Sequence, residues 1–356
     1  MLLRMSKSEY SAVAQTPILD SGTLPLRTPE ESTVVGIIGG ALLALIPAIG
    51  LIHDSRGSSN IGILPYVVAL SVAILIHELG HLTAGWCVGF RFHCIAVGPF
   101  ALYLKHGRLK LSLVRVSTAL GYASMHVGTV VRLRRRLLLF VAAGPVANLV
   151  TVPFAVLSSN HTFFSATHRS SLSFAAQLTL ISILLSVLNL LPLPVGPGLF
   201  TDGFRVATLL RDRERTRRLL SICAIGAQRQ KGKPPKKWKQ TWLKAASSVR
   251  DDSVDDFQGN SLAYISCIAR NEGGSGAVHL ERCLQMTGSL TDTVRDLTAQ
   301  EAAIFSARFR RDAPLAEKWL KQIVRPKLRN VHSAQPPRKV QFPPSARRVH
   351  MWSEST

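Results

Sequence analysis

A metal-binding pattern lies in the run from Ser71 to Val88, where His77, Glu78 and His81 follow one another as His-Glu-x-x-His. On a helix, residues four apart lie about 40° apart around the axis, so the two imidazoles share one face at metal-binding distance. Glu78 is spaced as a general base rather than as a ligand. The pattern predicts metal-assisted hydrolysis in which Glu78 is the catalytic residue.

The residues before this pattern, Val67 to Ile76, carry no charge. A carboxylate and two imidazoles in such a run cost several kcal/mol if they are left unpaired in lipid, so they require a cation or a water-filled cavity. The pentapeptide could instead arise by chance, or the histidines could be core residues hydrogen-bonded to neighbouring helices. The apolar, helix-length context favours the metal site.

Composition divides the chain into an apolar half and a polar half. Four long apolar runs precede residue 200, whereas polar and basic residues concentrate at 105–136 and after 203. The formal charge of +22 lies mainly beside the apolar runs, which indicates contact with anionic headgroups of membrane lipids, and no nucleic-acid partner is expected. The five cysteines include no CxxC pair, so neither a disulfide framework nor a thiolate zinc site is predicted.

The predicted fold is mainly α, with about four transmembrane helices, a small β-hairpin at the membrane surface and a soluble, helical C-terminal domain. The spans are predicted at residues 34–52, 64–88, 137–157 and 172–191. The predicted domains are a flexible leader (1–33), a transmembrane domain (34–220), a basic linker (221–256), a helical repeat-like domain (257–325) and a disordered basic tail (326–356).

The hairpin is predicted from two alternating stretches, Phe92 to Leu104 and Leu109 to Val116, which are separated by His106-Gly107. An exposed strand edge could pair with an extended peptide. An ordinary structural hairpin is the favoured interpretation.

Charge asymmetry predicts the orientation in the membrane. Residues 89–136 are rich in Lys and Arg, whereas the loop from Ser158 to Ser171 holds only Arg169. The 89–136 side is therefore predicted to be cytoplasmic. With four spans, both termini lie on that side of a multi-pass cell-membrane protein.

Further candidate residues lie in the last two spans. The third contains Gly144-Pro145-Val146-Ala147-Asn148, and the fourth ends in Asn189 before Leu-Leu-Pro-Leu-Pro. An amide in lipid needs a partner, so both asparagines should face the bundle interior, where they could simply join helices. Asp202 is the first acid after the fourth span. Two histidines, this acid and one water give the coordination of a catalytic Zn²⁺.

Three motifs in this order, HELGH, GPVAN and NLLPLP followed by Asp-Gly, resemble the site-2 protease family of intramembrane zinc metalloproteases. The resemblance covers Leu64 to Val206. It implies hydrolysis of a peptide bond in or near a transmembrane segment of a substrate protein. By the same resemblance His77, His81 and Asp202 hold zinc, Glu78 activates water, and Asn148 and Asn189 contact the substrate backbone.

The chain departs from the family pattern at one place. The family usually has Pro-Leu-Asp-Gly directly after the proline motif, but here Val195 to Thr201 separates Pro194 from Asp202. The next acids, Asp212 and Glu214, alternate with arginines, which is typical of a solvated, charged helix.

In the C-terminal half, residues 262–284 and 302–323 resemble each other. The matched positions are Ala263 with Ala303, Ala277 with Ala316, and Leu280 with Trp319. A period of about 40 residues is similar to tetratricopeptide-type repeats, and a plain helical bundle is the alternative. Either fold predicts contact with a protein partner.

The segment from Arg229 to Lys244 interleaves lysines with Trp238 and Trp242. Basic residues with indoles suit an anionic membrane surface. Membrane lipids are therefore predicted partners.

Two other classes of function stay open. A membrane adaptor could keep the protease fold, cleave nothing and act through its helical domain, although an intact Glu78 argues against it. A membrane-anchored peptidase with a soluble catalytic domain would require the His-Glu-x-x-His motif to lie outside the bilayer.

Overall fold

The structure, a computed structural model, describes residues 16–25, 63–105, 107–113, 121–158, 174–196 and 199–324. These residues form a mostly helical protein with a four-stranded and a two-stranded sheet. The chain divides into two compact units. The middle unit comprises Glu31–Thr216, and the terminal unit combines Met1–Glu30 with Arg217–Thr356.

The elements are numbered in chain order. The helices are α1 (Pro17–Ser21), α2 (Ile63–Cys87), α3 (Leu133–Ser158), α4 (Phe174–Leu190), α5 (Asp202–Arg211), α6 (Arg213–Gln230), α7 (Gln240–Ala246), α8 (Val254–Arg270), α9 (Gly273–Met286), α10 (Asp292–Phe305) and α11 (Ala313–Lys321). The strands are β1 (Phe90–Val97), β2 (Phe100–Lys105), β3 (Arg108–Leu113), β4 (Gly121–Val127), β5 (Pro194–Gly196) and β6 (Leu199–Phe200).

Two helices of the middle unit are long and apolar enough to cross a membrane, namely Pro65–Cys87 within α2 and Leu133–Phe154 within α3. Helix α4 is also apolar but has only 17 residues. The predicted span at 34–52 lies outside the described residues. Association with a membrane is therefore compatible with the structure, and the count of four spans stays a prediction.

Small residues bring α2 and α3 close together. A Cβ atom at Gly80 would lie 2.5 Å from the Ala143 carbonyl oxygen and 2.6 Å from the Ala147 Cβ. Such contacts allow two helix backbones to approach closely, as in membrane helix pairs. The other side of α2 packs against α4 through Ala73 and Ile181. The histidine-bearing helix is thus fixed between two others.

The predicted β-hairpin is part of a larger antiparallel sheet, with the strand order β3-β2-β1-β4. Strands β2 and β3 pair as expected, with Lys105 opposite Arg108. The stretch from Phe92 to Leu104 is not one strand, because Gly98 adopts a φ of 54° and turns the chain between β1 and β2. Strand β4 pairs with the other edge of β1 and was not predicted.

In the terminal unit, α8 and α9 form one helix pair and α10 and α11 form another. The positions matched between the two sequence repeats are all buried: Ala263, Ala303, Ala277, Ala316, Leu280 and Trp319. Equivalent burial explains why the sequence repeats these residues. Membership of the tetratricopeptide class stays a prediction.

The prediction of a basic linker at 221–256 is wrong. Helix α6 continues to Gln230, and α7 packs with it around Ile225, Trp238 and Leu243. The Trp238 side chain is only 2% exposed, and its indole Nε1 donates to the Lys233 carbonyl oxygen at 2.9 Å. This indole is therefore a core residue rather than a membrane contact, because its apolar ring finds a buried site beside α6.

The prediction of a flexible leader at 1–33 is also wrong for residues 16–25. These residues contain α1, and Leu19 is fully buried against the terminal unit. The partners of this segment lie more than 260 residues away, including Glu281 at 262 positions from Leu19. Local sequence patterns carry no signal for a contact over that distance.

Candidate metal centre

The three predicted metal ligands converge in the middle unit. His77 and His81 lie one helical turn apart on α2, and their Nε2 atoms are 3.3 Å apart. Asp202, the first residue of α5, places its Oδ2 atom 3.0 Å from the His77 Nε2 and 3.4 Å from the His81 Nε2. Both histidines are only 6% exposed.

The spacing of these three atoms fits a zinc ion. Zinc-ligand bonds of about 2.0–2.1 Å place tetrahedral ligand atoms roughly 3.3–3.4 Å apart. The observed separations of 3.0, 3.3 and 3.4 Å lie close to that value. Three protein donors leave a fourth position for water or substrate, as in catalytic zinc sites. The Asp202 side chain retains 21% exposure, so the site has an edge that water can reach.

Backbone contacts orient the His81 ring for this role. Its Nδ1 atom lies 2.7 Å from the Phe140 carbonyl oxygen on α3. A carbonyl only accepts hydrogen bonds, so Nδ1 must carry the proton and donate it. The Nε2 lone pair is then directed at the site, which is the usual arrangement of a metal-binding histidine.

Asn148 makes the corresponding contact with His77. It is fully buried on α3, its Nδ2 atom lies 3.5 Å from the His77 Nδ1, and its Oδ1 atom has no hydrogen-bond partner. Rotating the amide group by about 180° would let Oδ1 accept from an Nδ1–H group. That assignment satisfies the buried oxygen and leaves the His77 Nε2 free for a metal ion.

Gly144 leaves room for the two imidazoles. A Cβ atom at this position of α3 would overlap the His81 Nε2 and lie 2.8 Å from the His77 Nε2. Any side chain here would displace the rings that carry the candidate ligand atoms. The glycine of GPVAN is therefore part of the site.

Two short strands, β5 and β6, lie between α4 and Asp202. Strands β5 and β6 form a short antiparallel pair in which Pro194 lies opposite Phe200. This fold accommodates the additional residues relative to the family pattern and returns the chain to α2. The departure in sequence spacing is thus compatible with Asp202 at the site.

Thr201 fixes the start of α5. Its Oγ1 donates to the Leu191 carbonyl oxygen at 2.5 Å and accepts from the Phe204 N–H at 3.3 Å. The adjacent Gly203 is required by space, because a Cβ atom there would overlap the Leu190 carbonyl group. Asp202 is therefore held between a helix cap and a close backbone contact.

The Asp202 carboxyl is strongly acidic in this setting. Burial alone would raise the pKa of Asp202, but the close contacts of its carboxyl with the His77 and His81 rings outweigh it and lower the pKa to about 2. The oxygen that faces the two rings is therefore a carboxylate, which is the form that binds metal ions.

Glu78 lies beside the ligand triangle and is only 6% exposed. Strand β4 passes directly against it, since a Cβ atom at Gly121 would overlap the Glu78 Oε1. Among the strands that the structure describes, β4 is at an edge of its sheet. An open strand edge and a buried acid therefore lie side by side.

No hydrogen bond between described residues joins Asn189 to His77, His81 or Asp202. Its Nδ2 atom donates to the Leu185 carbonyl oxygen of the same helix at 3.1 Å. Of the two asparagines, Asn148 is the one whose amide faces a candidate ligand, His77. The proposed contact of either asparagine with a substrate stays a prediction.

Sequence reasoning did not identify the positioning roles of Gly144, Phe140 and Thr201. Gly144 had a visible signal, because it stands in the same motif as Asn148. The carbonyl of Phe140 had none, since every residue has a backbone carbonyl group. Comparison of the chain with known proteins adds no assignment: no protein-family model, curated protein or solved structure matches it.

Proposed function

We propose that this protein is an intramembrane zinc metalloprotease of the site-2 protease type. The observation that carries the proposal is the triangle of two histidine nitrogens and one aspartate oxygen, with sides of 3.0, 3.3 and 3.4 Å. The two histidines lie on a helix that is apolar enough to cross a membrane and that also carries the buried Glu78.

The exposure of the two long helices supports a membrane location. Only 39% of the most apolar stretch of α2 is buried, and only 28% of the most apolar stretch of α3. A core helix of a soluble protein would be mostly covered, whereas lipid-facing helices present apolar side chains outward. Exposed side chains such as Phe154 and Leu157 fit this arrangement.

The terminal unit supports an even number of crossings. Residues 16–25 pack with residues after 217 in one unit, so both must lie on the same side of the membrane. In the proposed topology, α2, α3 and α4 make three crossings and the apolar sequence at 34–52 makes a fourth. Because Lys and Arg are concentrated at 89–136, this side is the cytoplasmic one.

The reaction is hydrolysis of a peptide bond in or near a transmembrane segment of another protein. A bound zinc ion would polarise the scissile carbonyl group and acidify a water molecule. The Glu78 carboxylate accepts the proton of the attacking water and returns it to the leaving amine. Asn148 and the Phe140 carbonyl hold the two imidazoles in the required tautomers.

The edge of β4 provides a means of orienting the substrate. An extended segment added to this edge would run past Gly121 and therefore past Glu78. A helical segment hides its carbonyl groups in hydrogen bonds, so it must unwind locally before cleavage. Substrates with helix-breaking residues near the cytoplasmic face meet this requirement most easily.

The test compares the wild-type chain with Glu78→Gln, using Glu214→Gln on α6 as the matched control. We expect all three proteins, purified in detergent, to bind one zinc ion by elemental analysis. New protein termini in the membrane proteome of expressing cells should disappear with Glu78→Gln alone.

Two results would contradict the proposal. Wild-type cells without new termini, despite bound zinc, would favour the adaptor class, and a wild-type chain without zinc would exclude the metalloprotease class.

A further inference from the structure

A short N-terminal segment binds across the helices of the terminal unit. Of its ten described residues only Thr16, Leu19 and Gly22 are buried. The Leu19 side chain is fully covered and contacts a cluster that includes Leu280 and Trp319. Ile18 and Leu24 pack against the same cluster and are partly buried. A short segment with one fully buried apolar anchor and partly exposed neighbours is typical of a bound peptide rather than of a core helix.

The terminal unit contacts the main chain of this segment through side chains. Both carboxylate oxygens of the buried Glu281 accept backbone N–H groups, from Ile18 at 3.1 Å and from Leu19 at 2.8 Å. The Trp319 Nε1 donates to the Leu19 carbonyl oxygen at 3.2 Å. Lys318 Nζ also donates to the Ser21 carbonyl oxygen.

Further contacts recognise the side chains of the N-terminal segment and the turn at Gly22. Arg310 donates to the Thr16 Oγ1 at 2.8 Å and forms an ion pair with Asp20. Gly22 has a φ of 67°, and a Cβ atom there would lie 2.7 Å from the Lys318 Cδ. The site therefore selects an apolar residue, an acid directly after it and a glycine turn.

From these contacts we propose that the terminal unit is a peptide-binding domain and that residues 16–25 occupy its site as an intramolecular ligand. The site takes a segment of a protein partner with the same chemistry: two free backbone N–H groups, a leucine, an acid and a tight turn. Partner binding displaces the N-terminal segment. The inference does not depend on the metal site.

Tethering explains how the intramolecular ligand competes with a partner. The segment is joined to its site through the middle unit of the same chain, so it is always present at an effective concentration that a free peptide lacks. A free peptide must exceed that value to replace it. Cutting the tether removes this advantage without changing any contact within the site.

The experiment uses the full chain in detergent with a protease recognition sequence inserted between Thr28 and Pro29. A fluorescent peptide of residues 14–26 is added before and after cleavage, and its anisotropy is measured. We expect binding to the cut protein and little binding to the uncut protein. A peptide with Leu19→Asp should bind neither.

Substitutions in the domain identify the site. Glu281→Gln should weaken peptide binding to the cut protein by roughly tenfold or more, because it replaces one acceptor oxygen with an NH2 group and removes the negative charge that strengthens the other hydrogen bond. Glu317→Gln is the control, since its ion pair with Lys321 is exposed. The proposal is overturned if the peptide does not bind the cut protein, or if the Leu19→Asp peptide or the Glu281→Gln protein binds equally well.

Discussion

Gly144 of α3 lies directly against the His81 imidazole of α2, and no space for a methyl group exists between them. Gly144→Ala should therefore push the His81 Nε2 out of the ligand triangle. We expect loss of bound zinc by elemental analysis and loss of cleavage, with the helices retained by circular dichroism.

The matched control for this change is Gly226→Ala. Gly226 lies within α6, and a Cβ atom there would meet no atom within 4 Å. Zinc content should be unchanged, and stability should rise slightly because alanine favours a helix over glycine. Equal zinc content in both variants would contradict the close contact at Gly144.

Asp202→Asn tests the third ligand. An amide oxygen is a weaker donor than a carboxylate, and zinc affinity should fall by more than roughly 100-fold, which exceeds the usual effect of removing an outer contact. Affinity is measured by competition with a chromogenic chelator. Asp212→Asn, ten residues further along the chain, should leave zinc affinity unchanged. A similar decrease in Asp212→Asn would show that the loss comes from removing a negative charge and not from removing a metal ligand.

The two asparagines should behave differently. Asn148→Ala removes the group beside the His77 Nδ1 and should weaken zinc binding by about 10- to 100-fold. Asn189→Ala removes a hydrogen bond to its own helix and should leave zinc affinity within about twofold, as expected for a residue outside the metal's surroundings. The opposite order would show that the interpretation of the Asn148 amide is wrong.

A buried ion pair gives the terminal unit a defined response to acid. Arg218 donates to both carboxylate oxygens of Asp251 at 2.8 and 3.0 Å. Burial would raise the pKa of Asp251, but the hydrogen bonds from Arg218 and Ser253 outweigh it and lower the pKa from 3.8 to about 2. Because the folded pKa is depressed, its stabilising effect is complete above about pH 4 and is lost as the pH falls towards 2.

Asp251→Asn should accordingly lower the free energy of unfolding at neutral pH by about 3 kcal/mol, since the buried Arg218 loses its close, two-oxygen charge partner and keeps only Asp255 at 4.0 Å. Hydrogen exchange of α8 amides in the full chain measures this loss. The difference from wild type should narrow between pH 4 and 2. Glu317→Gln, from an exposed pair, should change stability by less than about 1 kcal/mol, and a constant difference at all pH values would refute the assignment.

The candidate ligands could be predicted from sequence because His77, Glu78 and His81 are polar residues in an apolar run, and such residues require partners. Asp202 was identified by its position after the fourth apolar run. The role of Gly144 could not be predicted in the same way. It depends on the distance between α2 and α3, which only tertiary packing determines.

The missed elements share a physical cause. Strand β4 alternates only weakly between apolar and polar residues, so its pairing with β1 depends on a neighbour rather than on its own sequence. Residues 16–25 and Trp238 are ordered by distant contacts, although their composition is typical of a linker. The composition of a segment indicates whether it can lie in solvent. Its burial depends on which other residues pack against it.

The union of residues 16–25 with the C-terminal helices has a consequence for biosynthesis. Leu19 is synthesised three hundred residues before Trp319, so the whole middle unit leaves the ribosome before the terminal unit can be completed. Final assembly of the terminal unit must therefore follow synthesis of the middle unit. In the proposed topology, this late contact would form only when both ends of the chain lie on the same side of the membrane.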